Sequence, residues 1–203
     1  MIVIIDYGMG NLYSIKNMLK KIGIKAQISS DVQIIENADK LILPGVGSFD
    51  NGMNNLTDLG IIPILENKVK KCGTPILGIC LGMQLFTKSS EEGKLQGLGW
   101  IDAQTMRFKF DEKKSLKIPH MGWNTISLNK KSLLFEGLSD EMRFYFVHSY
   151  HVVCNNERDI LTITNYGYDF VSAVESGNII GVQFHPEKSH KFGFNLLKRF
   201  AEL

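Results

Sequence analysis

The apolar positions of the first half follow two rhythms. Ile2–Ile5 is unbroken apolar sequence, the pattern of a strand covered on both faces. Leu12, Ile15, Met18, Leu19 and Ile22 then recur at steps of three and four, one face of a helix, and Gly23 supplies its stop. Ala26–Ser29 and residues 41–43 read as further strands, the second running into Pro44-Gly45-Val46-Gly47. A helical stretch at 62–71 precedes an apolar strand at 76–79, and a helix runs from Cys80 to about Lys88. Strands alternating with helices predict a largely parallel sheet with helices on both faces.

The second half changes character. Residues 101–110 and 123–128 read as strands joined across a charged turn at 111–114. Segments 143–153, 160–164 and 170–175 continue the strand pattern, and Ser176-Gly177-Asn178 is a hairpin signal leading into 179–184. A closing helix at about 192–202 carries Phe192, Leu196, Leu197 and Phe200 on one side. The fold expected is α/β and three-layered, with a largely parallel central sheet and a more antiparallel C-terminal half. No linker rich in Pro, Gly or Ser divides the 203 residues, and no repeat is visible. One domain over residues 1–203 is expected.

Composition narrows the function classes. A net charge of +2 with scattered lysines, densest at Lys113-Lys114 and Lys117, gives no nucleic-acid stripe. No apolar run reaches membrane-span length. Met1 leads straight into a strand without a positive leader. Three cysteines at wide spacing do not make a disulfide framework. A cytoplasmic location, where thiols stay reduced, is expected. No metal or cofactor is expected. His148 and His151 would face opposite sides of one strand, with no cysteine or carboxylate to complete a ligand set. The glycines of Tyr7-Gly8-Met9-Gly10-Asn11-Leu12-Tyr13 lack the third glycine of a dinucleotide loop.

The candidate chemistry centres on Cys80, in Gly78-Ile79-Cys80-Leu81-Gly82. A strand running into a cysteine flanked two residues away by glycines has the form of a nucleophile elbow. The glycines are expected to let the chain turn sharply and to leave room for a substrate. The start of a helix is expected to favour the thiolate. A cysteine nucleophile wants a histidine base oriented by a third group. His185-Pro186-Glu187 offers both, since residues two apart in an extended segment share a face and Pro186 biases His185 to extended backbone. Each signal alone is weak: a buried cysteine is commonly a small hydrophobe, and His-x-Glu recurs by chance. Together, each at a strand end, they point to a Cys-His-Glu triad. The Leu81 N–H supplies one oxyanion donor by the geometry of the elbow. The Gly45-Val46-Gly47 loop supplies the other, through Val46 or Gly47. Cys72 and Cys154 lack flanking glycines and read as structural.

These residues resemble a known family. Gly78-Ile79-Cys80-Leu81-Gly82-Met83-Gln84 with His185-Pro186-Glu187 is similar to the class I (triad) glutamine amidotransferases. Asp6-Tyr7-Gly8-Met9-Gly10-Asn11-Leu12, Pro44-Gly45-Val46-Gly47, Pro119-His120-Met121-Gly122-Trp123-Asn124, Phe146-Val147-His148-Ser149-Tyr150 and His185-Pro186-Glu187-Lys188-Ser189 resemble, within it, the HisH-type glutaminase subunits of imidazole glycerol phosphate synthase. The resemblance implies hydrolysis of L-glutamine to glutamate and ammonia. It implies that Gly47, Gln84, His148, Ser149 and Tyr150 hold glutamine, with Glu92 a further candidate for its amino group. It implies a 1:1 partnership with a HisF-type (β/α)8 cyclase of histidine biosynthesis, docking over Asn11, Met121, Gly122, Trp123, Asn124 and Lys188. Tyr150-His151 departs from the family's Tyr-Tyr. That change fits a paralogue supplying ammonia for amidation of surface sugars, the alternative to histidine biosynthesis. A stand-alone cysteine hydrolase is the remaining enzymatic alternative.

Overall fold

A computed structural model describes residues 1–110, 116–137 and 141–203. The expected charged turn at 111–114, with Lys113 and Lys114, lies outside them. Strands β1 (Ile2–Ile5), β2 (Ala26–Ser29), β3 (Lys40–Gly45) and β4 (Ile76–Cys80) form the parallel half. Helices α1 (Leu12–Lys21), α2 (Val32–Glu36), α3 (Phe49–Asp58), α4 (Ile62–Glu66) and α5 (Leu81–Leu85) lie between and after these strands. The helix predicted at 62–71 is two pieces, α4 and a π-helical turn at Asn67–Lys71. The helix after Cys80 stops at Leu85, short of Lys88.

Strands β5 (Ser89–Ser90), β6 (Ala103–Arg107), β7 (His120–Thr125), β8 (Ser127–Leu128), β9 (Arg143–His148), β10 (Tyr150–Cys154), β11 (Ile160–Asn165), β12 (Asp169–Ser176) and β13 (Ile179–Val182) make up the rest, closed by α6 (His190–Glu202). The main sheet runs β2-β1-β3-β4-β13-β12-β10-β6-β5, with β11 pairing β12 and β8. β13 joins β4 in parallel, and the pairing of β12 with both β13 and β10 is antiparallel. Fold class therefore matches expectation: a mostly parallel sheet with an antiparallel extension. Alternation along β1 shows how both faces are covered. Ile2 and Ile4 pack with Leu19, Phe184 and Phe200 on one side, while Val3 and Ile5 pack with Phe49, Leu65 and Phe86 on the other.

Two pairings differ from the sequence reading. The strands expected at 101–110 and 123–128 do not pair: β6 lies against β10 and β5, whereas β7 pairs β9 in a separate two-stranded sheet. The strand expected at 143–153 is two strands broken at Ser149, β9 in the small sheet and β10 in the large one. The physical reason is an aromatic core. Phe108, following β6, packs on His148, His151 and Phe170 with ring centroids 4.7–5.2 Å apart, so the chain must divide around it. Consequently His148 and His151, expected on opposite faces of one strand, converge on the same ring.

Helices α2 and α3 are not announced by the hydrophobic pattern. α3 contains Gly52 and three asparagines, poor interior helix formers. Tertiary contacts hold it instead. Phe49, Met53 and Leu56 are buried, and Gly52 lies against Leu81 and Leu85 of α5.

Candidate active site

Three adjacent parallel strands deliver the site. β4 lies between β3 and β13, and the register sets Gly45 beside Cys80 and Val182 beside Ile79. The segments that leave these strands, carrying Val46-Gly47, Cys80-Leu81 and Gln183-Phe184-His185, thus emerge together at the carboxyl edge. That is the edge where open α/β sheets place their ligands.

Cys80 carries the strain of the turn itself, with φ +54° and ψ −108°. Neither flanking glycine adopts a positive φ, so their expected role as backbone pivots is corrected. A Cβ on Gly82 would collide with the Leu43 carbonyl, and one on Gly78 would press on the Gly82 backbone and the Phe86 ring. The glycines are there because α5 sits directly on β3 and β4. The helix has only five residues, too few aligned peptides for a large dipole at the thiol. The sulfur's defined donor is instead Gln183, whose Nε2 lies 3.5 Å from Cys80 Sγ.

His185 and Glu187 meet as expected, and His185 has the extended backbone predicted for it, with φ −103° and ψ 96°, but the segment does not stay extended. Pro186–Lys188 is a 3₁₀ turn, closed by the Lys188 N–H donating to the His185 carbonyl at 3.0 Å. The Glu187 carboxylate reaches His185 Nδ1 at 2.8 Å, with both side chains 2% exposed. The backbone of His185 is pinned as well. Its N–H donates to Tyr145 O at 2.8 Å, and its carbonyl accepts from Ser189 Oγ at 2.6 Å. Burial pushes the imidazole pKa down, but Cys80 and Glu187 together outweigh it and raise the value to about 10. His185 Nε2 is buried and hydrogen-bonded to none of the described residues, which leaves it available for proton exchange.

A cavity of about 310 Å³ opens onto these groups, lined among others by Val46, Gly47, Cys80, Leu81, Gln84 and His185. Glu92, His148, Ser149 and Tyr150 also line it, so every residue expected to hold glutamine is brought together there. Glu92 is half-buried and accepts the Phe49 N–H at 2.8 Å, capping α3. Burial raises its pKa against that bond, with Asp50 adding to the rise. His148 contributes with both ring nitrogens already committed to His120 and the Tyr150 carbonyl. Gly47 has φ +114°, a conformation that favours glycine. A larger groove of about 530 Å³ runs past Lys16, Lys20 and Lys25 at the β2 edge and holds none of these groups.

The residues expected to meet a partner divide. Met121 and Trp123 are 61% and 41% exposed, and Asn11 and Lys188 are exposed too. Asn124 is turned inward, its amide donating to the Asn165 carbonyl at 2.9 Å. His151 is buried against Phe108, with Nε2 2.9 Å from the Tyr168 hydroxyl, and does not line the cavity. Two site residues had no role in the sequence reading. Gln183 stands two places before His185, a signal that same-face periodicity could have used. The Tyr7 hydroxyl is buried, without a hydrogen-bond partner among the described residues, and takes the space that a Cβ on Gly45 would need. Burial and the neighbouring Cys80 push its pKa upward.

The family model "Glutamine amidotransferase class-I" matches residues 3–202. A protein of Methanococcus maripaludis, "Imidazole glycerol phosphate synthase subunit HisH 2", is 58% identical over 100% of this chain and 99% of its own. Another of that designation, from Pseudomonas aeruginosa, is 49% identical over the full length of both. The HisH subunit of Leptospira borgpetersenii is 46% identical over the full length of both. Among solved structures, a glutamine amidotransferase superposes with TM-score 0.76 at 21% identity, over 98% of this chain and 97% of its own. A glutamine amidotransferase from Thermotoga maritima gives 0.65 at 16%, over 99% and 82%. At those identities the likeness is one of fold.

Proposed function

The chain belongs to the class-I glutamine amidotransferase family, and we propose that it is the glutaminase subunit of an imidazole glycerol phosphate synthase, using Cys80, His185 and Glu187 as its triad. The observation that carries this reading is the shared cavity, where a strained cysteine, a carboxylate-held histidine and the Gly45-Val46-Gly47 loop open onto one space. The Cys80 sulfur attacks the side-chain amide carbon of L-glutamine. The oxyanion that forms is met by backbone N–H groups of Leu81 and of Val46 or Gly47, each such donor contributing about 10²–10³ in rate. His185, protonated and held by Glu187, gives its proton to the departing nitrogen, and ammonia leaves. Water, deprotonated by the now neutral His185, attacks the thioester; glutamate is released and the sulfur regenerated. Gln84, Glu92, Ser149 and Tyr150 hold the glutamine.

Ammonia released into neutral water becomes ammonium, which is no nucleophile, so the product must pass directly to an acceptor site. We take the acceptor to be a HisF-type (β/α)8 cyclase in a 1:1 complex, docked over exposed Met121, Trp123, Asn11 and Lys188. The test is glutamate release by the purified chain with and without that partner and its ligand. Release should rise on addition and vanish in Cys80→Ala; undiminished release by Cys80→Ala sinks the reading. A second acceptor, a surface-sugar amidation enzyme, has one observation in its favour: two of the relatives carry the numbered designation HisH 2. His151 adds nothing to it, since its side chain lies outside the cavity. Complementation of a histidine auxotroph lacking this subunit separates the two acceptors.

A further inference from the structure

A set of hydrogen bonds, buried at His120, His148, Gln84 and Gln183, links strand β7 to the nucleophile. Asn124 Nδ2 lies 3.2 Å from His120 Nε2, and His120 Nδ1 lies 2.9 Å from His148 Nε2. His148 Nδ1 lies 2.7 Å from the Tyr150 carbonyl. That carbonyl also accepts from Gln84 Nε2 at 3.2 Å, and Gln84 Nε2 donates to Gln183 Oε1 at 3.0 Å. Gln183 Nε2 then faces Cys80 Sγ at 3.5 Å.

The direction of every bond is fixed, and from both ends. The Tyr150 carbonyl can only accept, so His148 carries its proton on Nδ1 and offers Nε2 as an acceptor. His120 must then donate from Nδ1 and accept at Nε2. At the far end the Asn124 amide is independently oriented. Its Oδ1 accepts the Thr125 N–H at 2.8 Å and its Nδ2 donates to the Asn165 carbonyl at 2.9 Å. The donor therefore faces His120, as the chain requires. Both histidines must be neutral for this, and burial lowers both, His120 to about 4 and His148 well below its ordinary value. On the inner side, Gln84 Nε2 is held by the Tyr150 carbonyl. The Gln183 oxygen must turn to it, which leaves the Gln183 N–H for the sulfur.

We propose that Gln183 is a catalytic residue of this site, an N–H donor that holds the Cys80 thiolate, aimed by Gln84, whose amide donates both to the Tyr150 carbonyl and to the Gln183 oxygen. Gln183 is fully buried, so no water competes for the sulfur on that side. The sulfur thus has two kinds of neighbour: His185, which exchanges its proton, and Gln183, which carries no charge and cannot take one. Gln84 is a positioning residue that acts through Gln183, and His148, backed by His120, fastens the Tyr150 carbonyl that Gln84 also uses. The proposal rests on the reading of Cys80 as the glutaminase nucleophile.

The test is alkylation of Cys80 by iodoacetamide in the full chain, followed by peptide mass spectrometry to separate it from Cys72 and Cys154. This needs neither glutamine nor a partner. Gln183→Met removes the donor and keeps the bulk. Gln183→Glu keeps the shape and the acceptor toward Gln84 but places no N–H on the sulfur. Both should slow alkylation at neutral pH about tenfold, the effect of one lost hydrogen bond to a charged group, and move its pH profile to higher pH. Wild-type rate and profile in Gln183→Glu would mean that only shape matters and would overturn the proposal. If Gln183→Met does not fold, Gln183→Glu decides. In the wild type, ¹⁵N NMR should show both His120 and His148 protonated on Nδ1, and an Nε2 proton on either neutral ring overturns the bond directions that fasten the Tyr150 carbonyl. Altered alkylation in a protein that never hydrolyses glutamine would support the donor while sinking the glutaminase reading. Wild-type alkylation in a working glutaminase would do the reverse.

Discussion

Two groups of histidines near Cys80 use the same side chain in opposite states. One is His185, against a buried carboxylate at 2.8 Å, with its pKa raised to about 10. The other is His120 and His148, bonded to each other at 2.9 Å among Phe108, Phe146 and Phe170, with their pKa values lowered. Burial disfavours the imidazolium in all three. What separates them is whether an opposing charge lies within reach. His185 has Glu187 and the Cys80 sulfur; the other two have a carbonyl, an amide and one another. His185 is therefore held protonated near neutral pH, and His120 and His148 are held neutral.

The comparison can be broken most severely at the sulfur. Cys80→Ala should remove glutamate release to background in the assembled complex, measured by coupled glutamate detection. Next in size, Glu187→Gln should leave His185 in place but lower kcat by about 10²–10³, within the range for a disabled general base. NMR titration should show His185 losing its proton at lower pH than in the wild type. An unchanged His185 titration would show that the carboxylate is not what sets its charge.

A smaller effect is expected from giving the neutral side a charge. Asn124→Asp places a carboxylate beside His120 Nε2 and should raise the His120 pKa from about 4 by one unit or more, read by the same titration. The smallest effect is on stability. His120 and His148 titrate below the ordinary 6.5, so the unfolded chain binds protons first and stability falls as pH drops from about 6.5 toward 4. His185 has the opposite sign: its contribution is complete below 6.5 and is lost as pH rises toward 10. Urea denaturation across this range should show His120→Phe flattening the acid limb and Glu187→Gln the alkaline one.

In the parallel half β1, β3 and β4 were legible because they are buried on both faces and read as apolar runs; β2, a half-buried edge strand, also has the bounds read for it. α3 was not legible, since its stability comes from packing Gly52 on α5 rather than from its own propensities. The antiparallel half misled at two places for one reason. A strand's alternation shows which residues face inward but not which of two sheets it joins, and Phe108 settles that by filling the space between them. The pairing of His185 with Glu187 was foreseen from their spacing, and His185 has the extended backbone that Pro186 predicts, while the residues after it form a 3₁₀ turn.

Sequence by itself determined the reactive groups: a cysteine at a strand end, a histidine two residues from a carboxylate, and a glycine loop at another strand end. These are local facts, written in residue type and spacing. Tertiary structure decided the rest. Sheet register set Gly45 beside Cys80 and Val182 beside Ile79, and long-range packing brought Gln84, Gln183 and two histidines into one hydrogen-bonded set that reaches the sulfur. The charge state of each histidine was decided there too, because it depends on which partners burial brings within a hydrogen bond, and spacing along the chain does not carry that information.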